Sequence, residues 1–221
     1  MGYGVKVDVR GAFALFTRPE LKTERVSYDL ITPSAARGVL EAVLWHPGLR
    51  WIIDEIRVLN PIKFTTVRRN EVGAKAKARV MWQTMSTGGC PPYIATPKEI
   101  MQRASLLLTD VHYIITAHFE MTPQAAASDN PGKFSEMFRR RLTKGQNYHQ
   151  PYLGCREFPA QLRPCDDDTS LPVPEELRGE KDLGFMLYDM DYSDMSCIRP
   201  QFFRAVLRDG ILDLRGVEVY K

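Results

Sequence analysis

Cysteine and histidine are both scarce, with four of each in 221 residues. Cys90, Cys155, Cys165 and Cys197 lie 65, 10 and 32 residues apart, which provides no CxxC pair. Neither a zinc ribbon nor a small disulfide scaffold can be built from that spacing, so reduced thiols are expected. The first residues, MGYGVKVDVRGAF, contain no apolar stretch of leader length, and no run of about 18 apolar residues occurs anywhere. A soluble, cytoplasmic protein with no membrane contact is therefore expected. P-loop, GxGxxG, HExxH and GxSxG signatures are also missing, which removes the commonest nucleotide, dinucleotide, zinc-protease and serine-hydrolase chemistries. YDMDYSD brings Asp189, Asp191 and Asp194 together but lacks the glycine and closing glutamate of a calcium loop. They read as surface carboxylates beside a hairpin. No metal and no cofactor is expected.

What is present is segregated charge. The formal net charge is only +3, but Lys63–Arg79 holds six basic residues against Glu71, and Lys133–Lys144 holds five against Glu136. From Asp166 to Asp182 the sign reverses, with seven acids against Arg178 and Lys181. A basic face of this kind attracts a polyanion whatever the total charge. The acidic run reads as a solubilising loop.

Hydrophobic periodicity orders the chain. VKVDVRGAFALF (5–16) is a first strand. Thr32 and Pro33 mark a helix start, Val39, Leu40, Val43 and Leu44 form its apolar stripe, and Pro47–Gly48 stop it. RWIIDEIRVLNPIKF (50–64) reads as a strand that Pro61 ends or marks as an edge. Residues 65–103 show no long periodic segment and read as an insertion or ragged hairpin. Leu106–Leu108 and His112–Phe119 read as strand with a bend at Thr109–Asp110. PGKFSEMFRRRLTKG (131–145) is a second helix, and 152–164 a returning strand. Short strands are predicted at 184–190, 200–209 and 211–220, with a turn at 208–210. The expectation is an α+β protein: a ferredoxin-like β-α-β-β-α-β domain over about 1–164, then a small antiparallel β-domain over 165–221.

His112 and His118, six apart on one strand, share a face but stand about 20 Å apart, too far for one ion. A histidine near a basic patch suits another chemistry. RNA carries its own nucleophile, the 2′-hydroxyl beside the scissile phosphate. Cutting it requires a group that titrates near neutrality and cationic donors for the phosphorane oxygens. KGQNYHQPYLGCREF (144–158) adds aromatics to that charge. Tyr148, His149 and Tyr152 are stacking candidates, and Arg139, Arg140, Arg141 and Arg156 are backbone contacts; Tyr152 is expected to be partly buried and Cys155 a small core residue. Arg68 and Arg69 are further phosphate contacts, and Arg18, Lys22 and Arg25 a weaker set.

Four blocks then become recognisable: RVSYDLITPSAARGVLEAVLWHP, NPIKFTTVRRNEV, KGQNYHQPYLGCREFPA and DLGFMLYDMD. Their order and length resemble the Cas-five proteins of the CRISPR type I-C (Dvulg) subtype, essentially end to end. The resemblance implies a ferredoxin-like domain with a small C-terminal β-domain. It also implies a metal-independent endoribonuclease that cuts the repeat hairpin of precursor CRISPR RNA, leaving a 2′,3′-cyclic phosphate and a 5′-hydroxyl. The protein would then stay on the guide 5′ handle among the other subunits of the type I-C interference complex.

The family's catalytic set is a first-helix tyrosine plus a lysine and a histidine on the central strand. Only the histidine is matched, by His118. Leu44 stands where the tyrosine would be, and Thr116 and Ala117 offer no lysine. His46 is the candidate to replace the tyrosine, and Lys144 or Arg141 to supply positive charge. Two alternatives stand beside cleavage: a non-catalytic handle-binding subunit, and a general nucleic-acid binder whose partners include duplex DNA.

Overall fold

The computed structural model describes residues 4–165 and 171–221. Among the described residues three α-helices and eight strands follow in the order β1 (Gly4–Ala14), α1 (Pro33–Val43), β2 (Leu49–Val58), β3 (Lys63–Val72), α2 (Ala78–Thr87), β4 (Ile100–Met121), α3 (Pro131–Thr143), β5 (Gln161–Pro164), β6 (Glu180–Asp191), β7 (Arg199–Arg208) and β8 (Ile211–Asp213). Setting aside the β3–α2 excursion, the first part is β-α-β-β-α-β with strand order β5-β1-β4-β2, and its neighbours are antiparallel. This is a mixed arrangement of helices and an antiparallel sheet, consistent with the ferredoxin-like pattern that the periodicity predicted.

β4 organises the sheet. It is 22 residues long, about 70 Å at ordinary strand rise. Its first half pairs with β3 over Ile100–Thr109, and its second half lies between β1 and β2. The bend falls at Asp110, whose φ is +51°, an αL conformation that aspartate tolerates better than most residues. Asn60 Nδ2 donates to the Asp110 carbonyl at 2.7 Å and secures the bend.

β4 also shows why the sheet has two unlike faces. From Val111 to Phe119 the odd residues are buried and the even ones are not, apart from Ile114. The odd side carries α1 and α3: Phe134 and Phe138 of α3 pack against Phe119 and Trp51. Each fully buried phenylalanine of this kind stabilises by about 1.5–3 kcal/mol. The even side, with His112, Thr116, His118 and Glu120, is the open face.

Several local expectations change. The first helix ends at Val43, not near Pro47, because Leu44 is already extended (φ −144°, ψ 106°) and Trp51 Nε1 takes its carbonyl. The carbonyls of Ala42 and Val43 are satisfied from outside, by Tyr148 N and Arg141 Nη1. His46 therefore lies beyond the helix. The 50–64 strand is divided: β2 stops at Val58 and β3 starts at Lys63.

The 65–103 stretch is a hairpin, β3 with β4, that carries α2 at its tip. No α2 residue is buried, and Trp82 and Met85 are among its exposed side chains. The predicted strand at 152–164 shrinks to Gln161–Pro164, because Gly154 (φ +82°) and Pro159 hold the preceding residues in a loop. The last strand keeps only Ile211–Asp213, with Tyr220 bridged singly to Phe202.

β6 and β7 form an antiparallel hairpin, and β8 pairs with both β7 and β2, which makes one hydrogen-bonded sheet of all eight strands. α1 also reaches β6: Leu187 N donates to Tyr28 Oη just before it, and Arg37 donates bidentately to Asp189. Asp189 is thus a half-buried ion-pair partner rather than a solvated carboxylate. Asp191 meets Lys221, and Asp194 accepts from Ser196. Of the acidic 166–182 run, residues 166–170 lie outside the described residues, while Glu180 and Asp182 already belong to β6 and pair with Arg208 and Arg204.

Candidate functional site

On the open face each strand histidine faces a carboxylate. His112 Nε2 lies 3.1 Å from Asp8 Oδ2, and Asp8 also accepts from Arg10 at 3.0 Å. Burial alone would raise the Asp8 carboxyl, but its bonds to Arg10 and His112 hold it below the ordinary value of 3.8. A carboxyl lowered by folding stabilises the fold above its unfolded pKa, and that contribution disappears as pH falls through the folded one. Asp8→Asn is therefore expected to lower the urea midpoint at pH 6, with the gap to wild type closing below pH ~3.8. A gap that stays constant from pH 6 to pH 3 would refute the assignment.

His118 differs in access. Its Nδ1 lies 2.8 and 2.9 Å from the two oxygens of Asp54, and its side chain is 31% exposed against 12% for His112. A carboxylate can only accept, so the hydrogen sits on Nδ1 and Nε2 is left to the solvent side. Asp54 reaches this position because it is the extra residue of a β-bulge between Ile53 and Glu55. On the other side of His118 the register partner is Gly4, which puts no side chain between the imidazole and the sheet edge. Lys6, two residues on, pairs with Thr116, so it is diagonal to His118 and within reach of a long side chain.

The residues singled out in the sequence divide between the two faces. His46 stays on the helix side: its ring packs on Phe134 at 4.9 Å, and its Nδ1 accepts from Gly48 N. The sheet separates it from His118. Arg139, Arg140 and Lys144 are exposed at the end of α3, while Arg141 is bound to the Val43 carbonyl. Tyr148 is exposed, and His149 lies between it and Tyr152 at ring distances of 6.0 and 6.1 Å. Tyr152 is half-buried, and Cys155 packs partly buried against the core.

Arg156 is exposed in the loop, not on a strand. Arg68 is exposed on β3, whereas Arg69 is ion-paired with Glu157 and lies over the Phe158 ring. Arg18 and Arg25 pair with Asp29 and Glu71. Arg139 alone of the arginine run lines a cavity of about 480 Å³ that also includes Gly4, Lys6, Thr116 and Pro164. That cavity joins Arg139 of α3 to Thr116 of the strand that carries His118.

Asp54 and Lys6 escaped the sequence reading. Lys6, Asp8 and Arg10 alternate on one face of VKVDVR, a signal that was available. Asp54 had only a weak one, two adjacent acids in the middle of a strand. Among the described residues no group of three His, Cys, Asp or Glu side chains is placed to hold a metal ion, and no helix is long and apolar enough to cross a membrane.

The fold is shared with CRISPR-associated structures. A solved structure titled "Crystal Structure of CRISPR-associated Protein" superposes with a TM-score of 0.70 at 21% identity, covering 99% of this chain and 96% of that one. A functionally uncharacterized protein of Streptococcus mutans gives 0.68, also at 21%, covering 99% and 97%. The family model described as "CRISPR-associated protein (Cas_Cas5)" matches residues 4–215. The chain belongs to this Cas5 family of CRISPR-associated proteins. Among its relatives, the "CRISPR pre-crRNA endoribonuclease Cas5d" of Mannheimia succiniciproducens is 45% identical over 97% of this chain and 96% of its own length. The protein of the same name from Thermus thermophilus is 38% identical over 95% and 90%.

Proposed function

We propose that this protein is a pre-crRNA endoribonuclease that cuts by attack of the RNA's own 2′-hydroxyl, with His118 as general base. The near-full-length relatives that carry this activity in their names support the reaction class. The observation that supports the residue is the His118–Asp54 pair on the open face. Asp54 holds the hydrogen on Nδ1 and leaves Nε2 to take the 2′-hydroxyl proton. As that proton leaves, the O2′–P bond forms and the P–O5′ bond breaks, and the 5′-oxygen takes a proton from water. Lys6 and Arg139, along the edge cavity, are placed to offset charge on the non-bridging oxygens. The products are a 2′,3′-cyclic phosphate and a 5′-hydroxyl, and no step requires a metal ion.

The tyrosine and lysine absent at Leu44 and Thr116–Ala117 are not replaced at the same points. Leu44 is buried, and His46 is across the sheet. In this reading the positive charge comes from the sheet edge instead, and Arg140, Lys144, Arg68 and Arg156 hold backbone phosphates outside the reacting centre. After cutting, the protein remains on the guide 5′ handle with other subunits of the interference complex, in the cytoplasm where its substrate is made. A handle-binding subunit without catalysis, and duplex-DNA binding on the same basic surface, are the competing readings.

The test is incubation with cognate repeat RNA in excess EDTA, beside a copy with one 2′-deoxy nucleotide at the scissile site. Cutting of the first and not the second is expected. If both are bound tightly and neither is cut, the non-catalytic reading stands and this one falls.

A further inference from the structure

A second hollow lies on the helix side, away from His118. It has a volume of about 380 Å³, and Ser34, Gly38 and Glu41 of α1 face His149, Tyr152 and Gly154 across it. We propose that it is a base-reading pocket that selects an unpaired guanine of the RNA, with Glu41 as the discriminating group; this rests on the RNA-cleaving function above.

The wall opposite Glu41 is aromatic. The His149 and Tyr152 rings lie 6.1 Å apart with planes tilted by 32°, a surface on which a base can stack. The backbone on either side of these rings is held in place. Tyr148 N donates to the Ala42 carbonyl of α1, Leu15 N to the Leu153 carbonyl, and Leu153 N to the Phe158 carbonyl. The facing helix surface is flat at Gly38, where an added Cβ would meet nothing within 4 Å. Packing does not require glycine there, and its absence of side chain keeps the hollow open.

The floor is a carboxylate with acceptor capacity to spare. Glu41 is half-buried and is ion-paired with Arg37 Nε at 3.5 Å, too long for a strong hydrogen bond. The terminal nitrogens of Arg37 are committed to Asp189. Burial pushes the Glu41 carboxyl upward and Asp189 adds to this, while Arg37 opposes it. Such a group gains by receiving donors.

Base chemistry then decides the ligand. Guanine presents two adjacent donors, N1–H and the 2-amino group, which match the two oxygens of a carboxylate. Adenine, cytosine and uracil each present at most one donor on that edge, beside an acceptor that the carboxylate repels. An unpaired base splayed from a loop or end is the form of RNA such a pocket can admit.

The test uses the full chain and free mononucleotides, with the ring signals of His149 and Tyr152 followed by NMR. GMP is expected to shift both and to bind about tenfold or more tighter than AMP, CMP or UMP. IMP, which keeps N1–H but lacks the 2-amino group, should fall between. Glu41→Gln should level the four affinities, since its amide opposes one guanine donor, and Arg37 keeps Asp189 so the fold is retained. Gly38→Leu fills the hollow with a better helix former and should abolish the GMP shifts. Equal affinities for the four nucleotides, no shift with any, or guanine preference surviving Glu41→Gln each overturn the pocket. Repeat cleavage is scored alongside. A protein that cuts the repeat but does not select GMP loses the pocket and keeps the nuclease; one that selects GMP but cuts nothing does the reverse.

Discussion

His118→Ala is expected to slow cleavage of repeat RNA by a factor of about 100 to 10,000, the range for loss of a positioned general base, with RNA affinity changed no more than a few-fold. The two effects separate because His118 offers one ring edge to the substrate, whereas affinity comes mainly from the guanidinium and ammonium groups around it. Single-turnover rates with enzyme in excess, beside filter-binding affinities, measure both. Asp54→Asn adds a sharper reading. Its amide can turn either an oxygen or a nitrogen toward His118, so the imidazole no longer has one enforced tautomer. The cleavage rate should fall while affinity holds, and the ¹⁵N signals of the His118 ring should show the change of tautomer. A His118→Ala protein that cuts at the wild-type rate would falsify the general-base role outright.

Gly154→Ala is expected to be the most damaging single methyl in the described chain. At φ +82° an alanine is strained, and its Cβ would lie 1.9 Å from the Leu15 carbonyl oxygen and 2.6 Å from the carbonyl carbon. Neither is the end of a flexible side chain. Leu15 is itself tied by its N–H to the Leu153 carbonyl at 3.1 Å, so the loop can retreat only by breaking that bond. The expected loss is about 3 kcal/mol or more, in the tail of single-residue effects. At an m-value of about 2–3 kcal/mol/M this lowers the urea midpoint by about 1 M or more. Gly145→Ala is the comparison. Its φ is +64° but nothing lies within 4 Å of the added Cβ, so only the backbone term of about 1 kcal/mol applies. Similar midpoints for the two variants would show that the close approach to Leu15 has no energetic weight.

Local chemistry accounts for what could be read ahead of the structure. Thr32 accepts from Ala35 N and Asn130 from Lys133 N, each followed by proline at the first helical position, and the two helices begin there. Asp110 bends β4 where an aspartate stood alone in an apolar run. The failures have physical causes too. α2 is only ten residues long and buries none of them, so its apolar side chains, Trp82 and Met85 among them, mark no core face. The first helix stops early because Leu44, Tyr148 and Arg141 take its last turn in hand, and two of those three come from about 100 residues away. His118 was legible as a candidate, but its partner was not. Asp54 is 64 residues distant and is turned toward it by a bulge, which strand alternation cannot anticipate.

β4 has one more consequence, and it concerns biosynthesis. β1, β2 and β3 all take β4 as a neighbour in the sheet, and none of the three pairs with another of them. A chain emerging from the ribosome at about 5–20 residues per second therefore carries three unpaired strands until β4 begins to appear. β4 then serves as a common template, closing first on β3 through Ile100–Thr109 and afterwards on β1 and β2 through its second half.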